Sequence, residues 1–318
     1  EKRENKYFRL TVYQYFSAFY QHWGEPLQDT LPFLDKGVEF GQSGINPLAA
    51  GYCVLLGAVN RFAYGAVLDT LHQECERRLK FLQQSHQTST EAMLVYGVML
   101  PLQALRGQTL GTHSFDTAKT SSTAFFRGDY STPSIPLALH ICAMARHAYL
   151  LDDARQWRLC TDSLAVVGMC LPDSPSLVEA TFYTALGLLK PAFHDAAAQI
   201  GNVAAAEYHL ARFREWAAGC AANFRHKALL IDAELARVRN DDAIAMELYA
   251  QAIDAAAVAG FTVIEALANE LYAGFWLSRK QKQLSSNFIR DAWYHYRRWG
   301  AEIKCRQLEA QWPEVSFR

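Results

Sequence analysis

The chain has 318 residues, 51% hydrophobic and 20% charged, with 31 Lys and Arg against 32 Asp and Glu and ten His. That balance excludes a disordered chain, and it leaves no global field to hold nucleic acid or an acidic membrane surface. Ten prolines and a high content of Ala, Leu, Glu and Gln, residues that lose little freedom in a helix, predict an all-α protein.

Helices are predicted at 5–23, 25–43, 47–64, 66–85, 89–106, 134–150, 153–170, 175–190, 202–219, 223–239, 241–259, 262–279, 284–299 and 301–311. Gly24, Gly65, Gly107, Gly260 and Gly300 suit the left-handed turn that ends a helix, and Asp153, Asn240 and Asp241 suit the caps that begin one. The segment "GQTLGTHSFDTAKTSSTAFFRGDYSTPSIP", residues 107–136, is rich in Ser, Thr and Gly, and predicts a long loop or a seam between helical layers. It divides an N-terminal helical half, 1–106, from C-terminal repeats, 137–318, of one continuous array.

A spacing of small, large and small residues followed by Gly recurs. It reads Ala204, Tyr208, Ala211, Gly219; then Ala245, Tyr249, Ala252, Gly260; then Ser285, Ile289, Ala292, Gly300. The copies lie 41 and 40 residues apart, and a weaker one, Asp153, Trp157, Cys160, Gly168, stands upstream. Small residues let helices approach, the large one fills the space between hairpins, and Gly lets the chain turn back. The pattern resembles the second helix of the tetratricopeptide repeat, with a longer period, and predicts a TPR-like antiparallel helix-hairpin solenoid, a right-handed superhelix of about 14 helices. In the helix at 262–279, Ile264, Leu267, Ala268, Leu271 and Phe275 form the predicted core stripe. Glu265, Asn269 and Tyr272 are expected on the outer face, and Glu270, flanking the stripe, is expected to meet a neighbouring Arg.

Motifs for chemistry are sparse. "GQTLGTH" at 107–113 lacks the Lys of a phosphate loop, and "GQSG" at 41–44 has no sheet to carry a nucleophile elbow. His140 and His147 are two turns apart, about 10 Å of rise, too far for one ion, and His72 with Cys75 forms only a pair. These histidines are expected to be structural, and no catalytic, cofactor or metal residue is assigned. The seven cysteines are widely spaced in apolar runs, which predicts core thiols in a reducing, cytoplasmic setting. Neither a signal-peptide pattern nor an apolar run of about 18 residues is found, so no membrane span is expected. A first residue other than Met suggests a segment of something longer.

From Arg279 to Arg306 eight basic residues oppose Asp291 and Glu302 and alternate with aromatic residues. On a helical wheel Phe288, Ile289, Ala292, Tyr296 and Trp299 face the core, while Arg290, Tyr294, Arg297 and Arg298 line the outer face. This row is expected to be a solvated terminal face, and its four residues are also the candidate docking residues for an acidic protein segment, in preference to nucleic acid.

"NFRHKALLIDAE", "AMELYAQAI", "EALANELYAGFWL" and "AWYHYRRWGAEIK", in order between residues 223 and 313, resemble the helical segment of large multidomain bacterial signalling kinases. "HWGEPLQDTLPFL" and "AGYCVLLGAVNRFAYG" extend the likeness upstream. In that family a Ser/Thr-kinase-like domain and an AAA+/STAND-type ATPase precede the segment, and GAF and histidine-kinase modules follow it. The resemblance implies a scaffold or sensor arm that contacts a protein segment or neighbouring domains and influences kinase output. It carries no catalytic residue into this chain. A small-molecule signal held in an interior pocket is the alternative, and an α-helical enzyme using Glu or His is a third reading.

Overall fold

The computed structural model describes residues 2–42, 46–127, 132–194 and 198–317, and among these the chain is all-α with no strand. The N-terminal helices are α1 (Lys2–Phe19), α2 (Leu31–Gln42), α3 (Pro47–Tyr64), α4 (Leu68–Gln84), α5 (Thr88–Leu94) and α6 (Leu100–Leu105), the last two joined by a π turn at Val95–Met99. A short α7 (Ser122–Phe126) lies in the polar segment. There follow α8 (Ile135–Leu150), α9 (Ala154–Asp162), α10 (Leu164–Cys170) and α11 (Pro175–Leu188). The C-terminal helices are α12 (Gln199–Gly219), α13 (Ala221–Val238), α14 (Asp242–Ala259), α15 (Thr262–Ser278), α16 (Lys282–Trp299) and α17 (Glu302–Gln311).

Burial sorts these helices into an inner and an outer layer. In α8, 14 of 16 residues are buried and in α11, 12 of 14, as expected of helices that are apolar almost all round. With α3, α13 and α15 they form the inner layer, linked by packing of α3 and α8 on α11, α11 on α13, and α13 on α15. The outer helices α14 and α16 bury one stripe each. Ala245, Tyr249 and Ala252 on α14, and Ser285, Ile289 and Ala292 on α16, are fully buried at the predicted 40-residue offset.

The beginning of the chain is fastened to its end. Asn223, opening α13, accepts a hydrogen bond from the Leu27 amide at 2.8 Å and donates to the carbonyls of His22 (2.7 Å) and Glu25 (2.8 Å). Trp23 lies against Trp216 and Phe224, with ring centroids 5.3 Å apart in both cases. Gln28 donates to the Ala259 carbonyl, and Lys304 of α17 to that of Leu150. Two glycines sit where these layers meet: Gly65 (φ +92°) ends α3 against Val263, and Gly300 (φ +97°) ends α16 against Leu68.

Several expectations are corrected. The helix expected at 5–23 ends at Phe19 and gives way to a 3₁₀ turn at Gln21–Trp23, and the one expected at 25–43 begins with a second, Leu27–Thr30, because Pro26 has no amide to continue a helix and Asn223 takes the amide of Leu27. The one expected at 153–170 breaks at Ser163, whose hydroxyl donates to the Leu159 carbonyl. The first repeat copy is out of register: Ala204, Tyr208 and Ala211 are exposed, while Ala206, Leu210 and Phe213 are the buried residues of α12. In an Ala-rich helix the same spacing fits more than one face, and packing against α11 and α13 selects the other. Gly219 remains inside α12, and Gly24 has φ −122°, whereas Gly65, Gly107, Gly260 and Gly300 are left-handed as predicted. Asp153 caps α9, but Asn240 (φ +59°) ends α13 in the left-handed region instead of starting α14.

Asn269 and Tyr272 are buried, contrary to the expected outer face, because α15 is covered on both flanks. Tyr272 lies between Tyr249 and Phe288, at centroid distances of 5.0 and 4.3 Å. In the polar segment, Gly128–Ser131 lie outside the described residues, as do Ser43 and Gly44 of "GQSG". The Asp116 carboxylate accepts from the Ser121 and Ser122 hydroxyls and the Ser122 amide, and Phe115 and Phe126 on either side of it are buried against α8.

Two substitutions test the fastening. Gly65→Ala forces an L side chain into left-handed backbone and places its methyl 3.0 Å from the Val263 amide nitrogen, so a loss of at least about 1–2 kcal/mol is expected in urea unfolding. Asn223→Ala leaves the buried Leu27 amide and two carbonyls without partners, for an expected cost of roughly 2–3 kcal/mol. Hydrogen exchange of the Leu27 amide should accelerate in Asn223→Ala; unchanged protection would show that the tie is dispensable.

Candidate functional site

Charged residues lie inside the apolar inner helices, and three clusters account for them. At the C-terminal end Glu270 of α15 takes Lys304 Nζ at 2.6 Å and the Tyr296 hydroxyl at 2.8 Å, and the same Nζ donates to Gln307 at 2.8 Å. The expected partner of Glu270 was an Arg; a Lys of the next hairpin fills the place. In the second cluster Glu234 accepts from Arg237 Nη2 at 2.7 Å and from the Tyr249 hydroxyl, and Arg237 also donates to the Leu189 carbonyl. Burial and the neighbouring glutamates hold the Tyr249 and Tyr296 phenols well above their usual titration range, so both donate at any physiological pH. Each of these carboxylates is matched by one cation and one phenol.

The third cluster does not close. Lys227 of α13, 1% exposed, pairs with Glu179 Oε1 of α11 at 3.1 Å, lies 3.1 Å from His226 Nε2, and sits over the Phe261 ring. Burial lowers its pKa and the Glu179 carboxylate opposes that shift. Arg146 of α8, 4% exposed, donates to the Phe62 carbonyl at 2.9 Å with its guanidinium 3.9 Å above the Phe62 ring. Among the described residues no carboxylate lies within 4 Å of it, its Nε has no partner, and Glu179 Oε2 has none either. The one carboxylate of the cluster is taken by Lys227, and the buried Arg146 guanidinium is left without one.

Space adjoins these groups. A cleft of about 240 Å³ between α1, α3, α8 and the start of α11 is walled by Tyr15, Phe19, Leu55, Leu56, Leu139 and Leu171. Behind it a void of about 20 Å³ shares Val59, Leu139 and Ser176 with the cleft and reaches Arg146 and Glu179. A second void of similar size continues past Glu179 to Lys227, Asn223 and His22. Each void has room for about one water molecule.

Two surface features complete the inventory. Arg290, Tyr294, Arg297 and Arg298 are all exposed on the outer face of α16; Arg298 lies over the Tyr294 ring and Arg297 pairs with Glu302 at 3.0 Å. On α1, Phe8 (69% exposed), Val12 and Phe16, with Tyr20 (67% exposed) just past the helix end, recur every four residues as an apolar stripe, with Tyr15 beside it. Sequence reasoning passed over this stripe because the helical pattern was not read for what it left outside.

Several other thiols and imidazoles are buried. Burial pushes the thiols of Cys53, Cys75 and Cys305 up to about 12, and raises those of Cys142 and Cys160. His140 and His147 are buried with Phe115 against both rings, and His72 and Cys75 are buried as well. Among the described residues no group of three or more His, Cys, Asp or Glu is placed to hold a metal ion, and no helix is long and apolar enough to cross a membrane.

Arg146, Glu179 and Lys227 were not assigned from the sequence, although a signal was present: Glu179 is the lone charge in "PSLVEATFYTALGL" and Arg146 that in "IPLALHICAMARHAYL". "NFRHKALLIDAE" supplies Asn223, Lys227 and Glu234, so the stretch that carries the family resemblance also carries the buried polar groups. Comparison with protein-family models, curated proteins and solved structures finds no match in any of the three.

Removing one partner of the buried pair by Lys227→Met leaves the Glu179 carboxylate without a hydrogen-bonded cation and is expected to cost about 3–5 kcal/mol, read in urea unfolding. Burial also lowers His22, His140 and His209 to about 4 and His147 to about 3. These side chains stay neutral in the folded state and protonate near 6.5 in the unfolded one. Their contribution is therefore present above pH 6.5 and is lost as the pH falls toward 4, by up to about 1.4 kcal/mol per pH unit for each. Urea midpoints should drop from pH 6.5 to 4.5, and His147→Leu should flatten the slope; a level profile would contradict the assignment.

Proposed function

We propose that the chain is a non-catalytic helical-repeat module, a TPR-like antiparallel hairpin solenoid of right-handed superhelical course, that serves as a scaffold or sensor arm in a cytoplasmic bacterial signal-transduction protein. It contacts a protein segment or neighbouring domains of the same polypeptide, and those contacts regulate kinase output. The resemblance of residues 223–313 to the helical segment of multidomain signalling kinases supports the context. The repeated registers of α14 and α16 support the TPR-like arrangement.

The observation that carries the reading is the stripe Phe8, Val12, Phe16 and Tyr20 along α1 and just past its end. Scattered apolar residues are ordinary on protein surfaces, but a continuous row of large ones along one helix face marks an interaction surface. A helix-on-helix or helix-in-groove contact with a protein segment is the mode such spacing fits. The row Arg290, Tyr294, Arg297 and Arg298 is a second, weaker docking face for acidic residues, since exposed charges are already well solvated and gain little from a partner. Burial of Cys53, Cys75, His140 and His147, which pushes these thiols up and these imidazoles down, supports the non-catalytic part.

A photo-crosslinking amino acid placed at Phe16 in cells should form adducts with a protein segment, from the same polypeptide or a signalling partner, while the same probe at exposed Val258 should not. Equal labelling at both positions would sink the docking role of α1. The purified chain is expected to show no ATP hydrolysis and no autophosphorylation, and turnover above a protein-free blank would overturn the non-catalytic reading.

A further inference from the structure

The cleft at α1 and the unclosed charge cluster behind it together point to a ligand. An arginine stays charged at any physiological pH, so the protein cannot relieve the buried Arg146 by deprotonation. Isolation of a charge from both water and counterion is strongly unfavourable, and such groups are normally paired. Here the pairing is incomplete in a specific way: Arg146 Nε is a free donor, Glu179 Oε2 is a free acceptor, and both groups line the same void. That void shares Val59, Leu139 and Ser176 with the apolar cleft.

We propose that the cleft is a binding site for a small apolar monocarboxylate carrying a hydrogen-bond donor, a hydroxyl or an amide N–H, next to its acid group. The carboxylate fills the water-sized void and accepts from Arg146 Nε, giving that guanidinium the carboxylate partner it lacks. The adjacent donor meets Glu179 Oε2, which a plain carboxylate would leave unsatisfied and would repel. The apolar body lies in the cleft against Leu55, Leu56, Leu139 and Phe19. At about 240 Å³ the cleft is smaller than the roughly 300–1,000 Å³ typical of drug-sized ligands, so the ligand is correspondingly small. This assignment stands on the cleft and the cluster behind it, and it holds whether or not the outer face of α1 docks a protein segment.

The test is calorimetric titration of the full chain with 2-hydroxyoctanoate, octanoate and octylamine. Saturable binding of 2-hydroxyoctanoate is expected, with octanoate weaker by about 10-fold, the worth of one hydrogen bond to a charged group, and no binding of octylamine. Arg146→Gln should weaken 2-hydroxyoctanoate by roughly 10- to 100-fold. Should that variant fail to fold, Leu56→Trp, at a half-buried position in the cleft wall, should abolish binding while leaving the charge cluster untouched. Equal binding of the amine and the acids, undiminished affinity in both variants, or no heat with either acid at millimolar concentration would overturn the site and leave the void to water. Equal affinity for the two acids would remove Glu179 from the recognition.

Discussion

Asn223 makes the contact on which the arrangement of the chain depends. Its carboxamide satisfies one amide and two carbonyls of the turn that leads from α1 into α2, nearly 200 residues away in sequence. Those backbone groups have given up helical bonding at Pro26, so without Asn223 they would be buried and unpaired. With the tie in place, the N-terminal helices cover α11, α13 and α15, and the inner faces of the C-terminal hairpins become core. An open array of the same helices would present those faces to water.

This closure sets the electrostatics. Helices covered on every side take their few charged residues out of solvent, and each must then find a partner inside. Glu270 finds Lys304 and Tyr296 on the two following helices, and Glu234 finds Arg237 on its own helix and Tyr249 on the next, contacts that would be costly to break singly. Arg146, Glu179 and Lys227 lie where three helices from distant parts of the chain converge, and there one donor of Arg146 and one acceptor of Glu179 are left over beside a void, the pair that the proposed ligand would complete.

The surface divides in a complementary way. The outer face of α16 carries cations that water already solvates, whereas α1 exposes large aromatic residues whose removal from water is favourable. The two faces would respond to different partners. Since Tyr15 and Phe19 of α1 also wall the cleft, occupancy of the cleft and contact along α1 involve one helix, a short physical path between a small molecule and a docked protein.

Helix identity, most helix limits and the core stripes of α14 and α16 were legible in the sequence, because they depend on spacing within one helix and on glycines that only left-handed backbone requires. Phe288 through Trp299 and the outward Arg290, Tyr294, Arg297 and Arg298 fall where the helical wheel puts them, since α16 has one covered side. Periodicity failed at α12 and α15 for opposite reasons: α12 offers two faces of similar composition, and α15 has no uncovered flank on which Asn269 and Tyr272 could lie. Only the tertiary structure decided that Glu179 meets Lys227, that Arg146 meets no carboxylate among the described residues, and that Asn223 holds the first turn of the chain. Local spacing determines which face of a helix is apolar, but what covers that face is set by segments hundreds of residues away, and the partner of a buried charge is fixed only when they arrive.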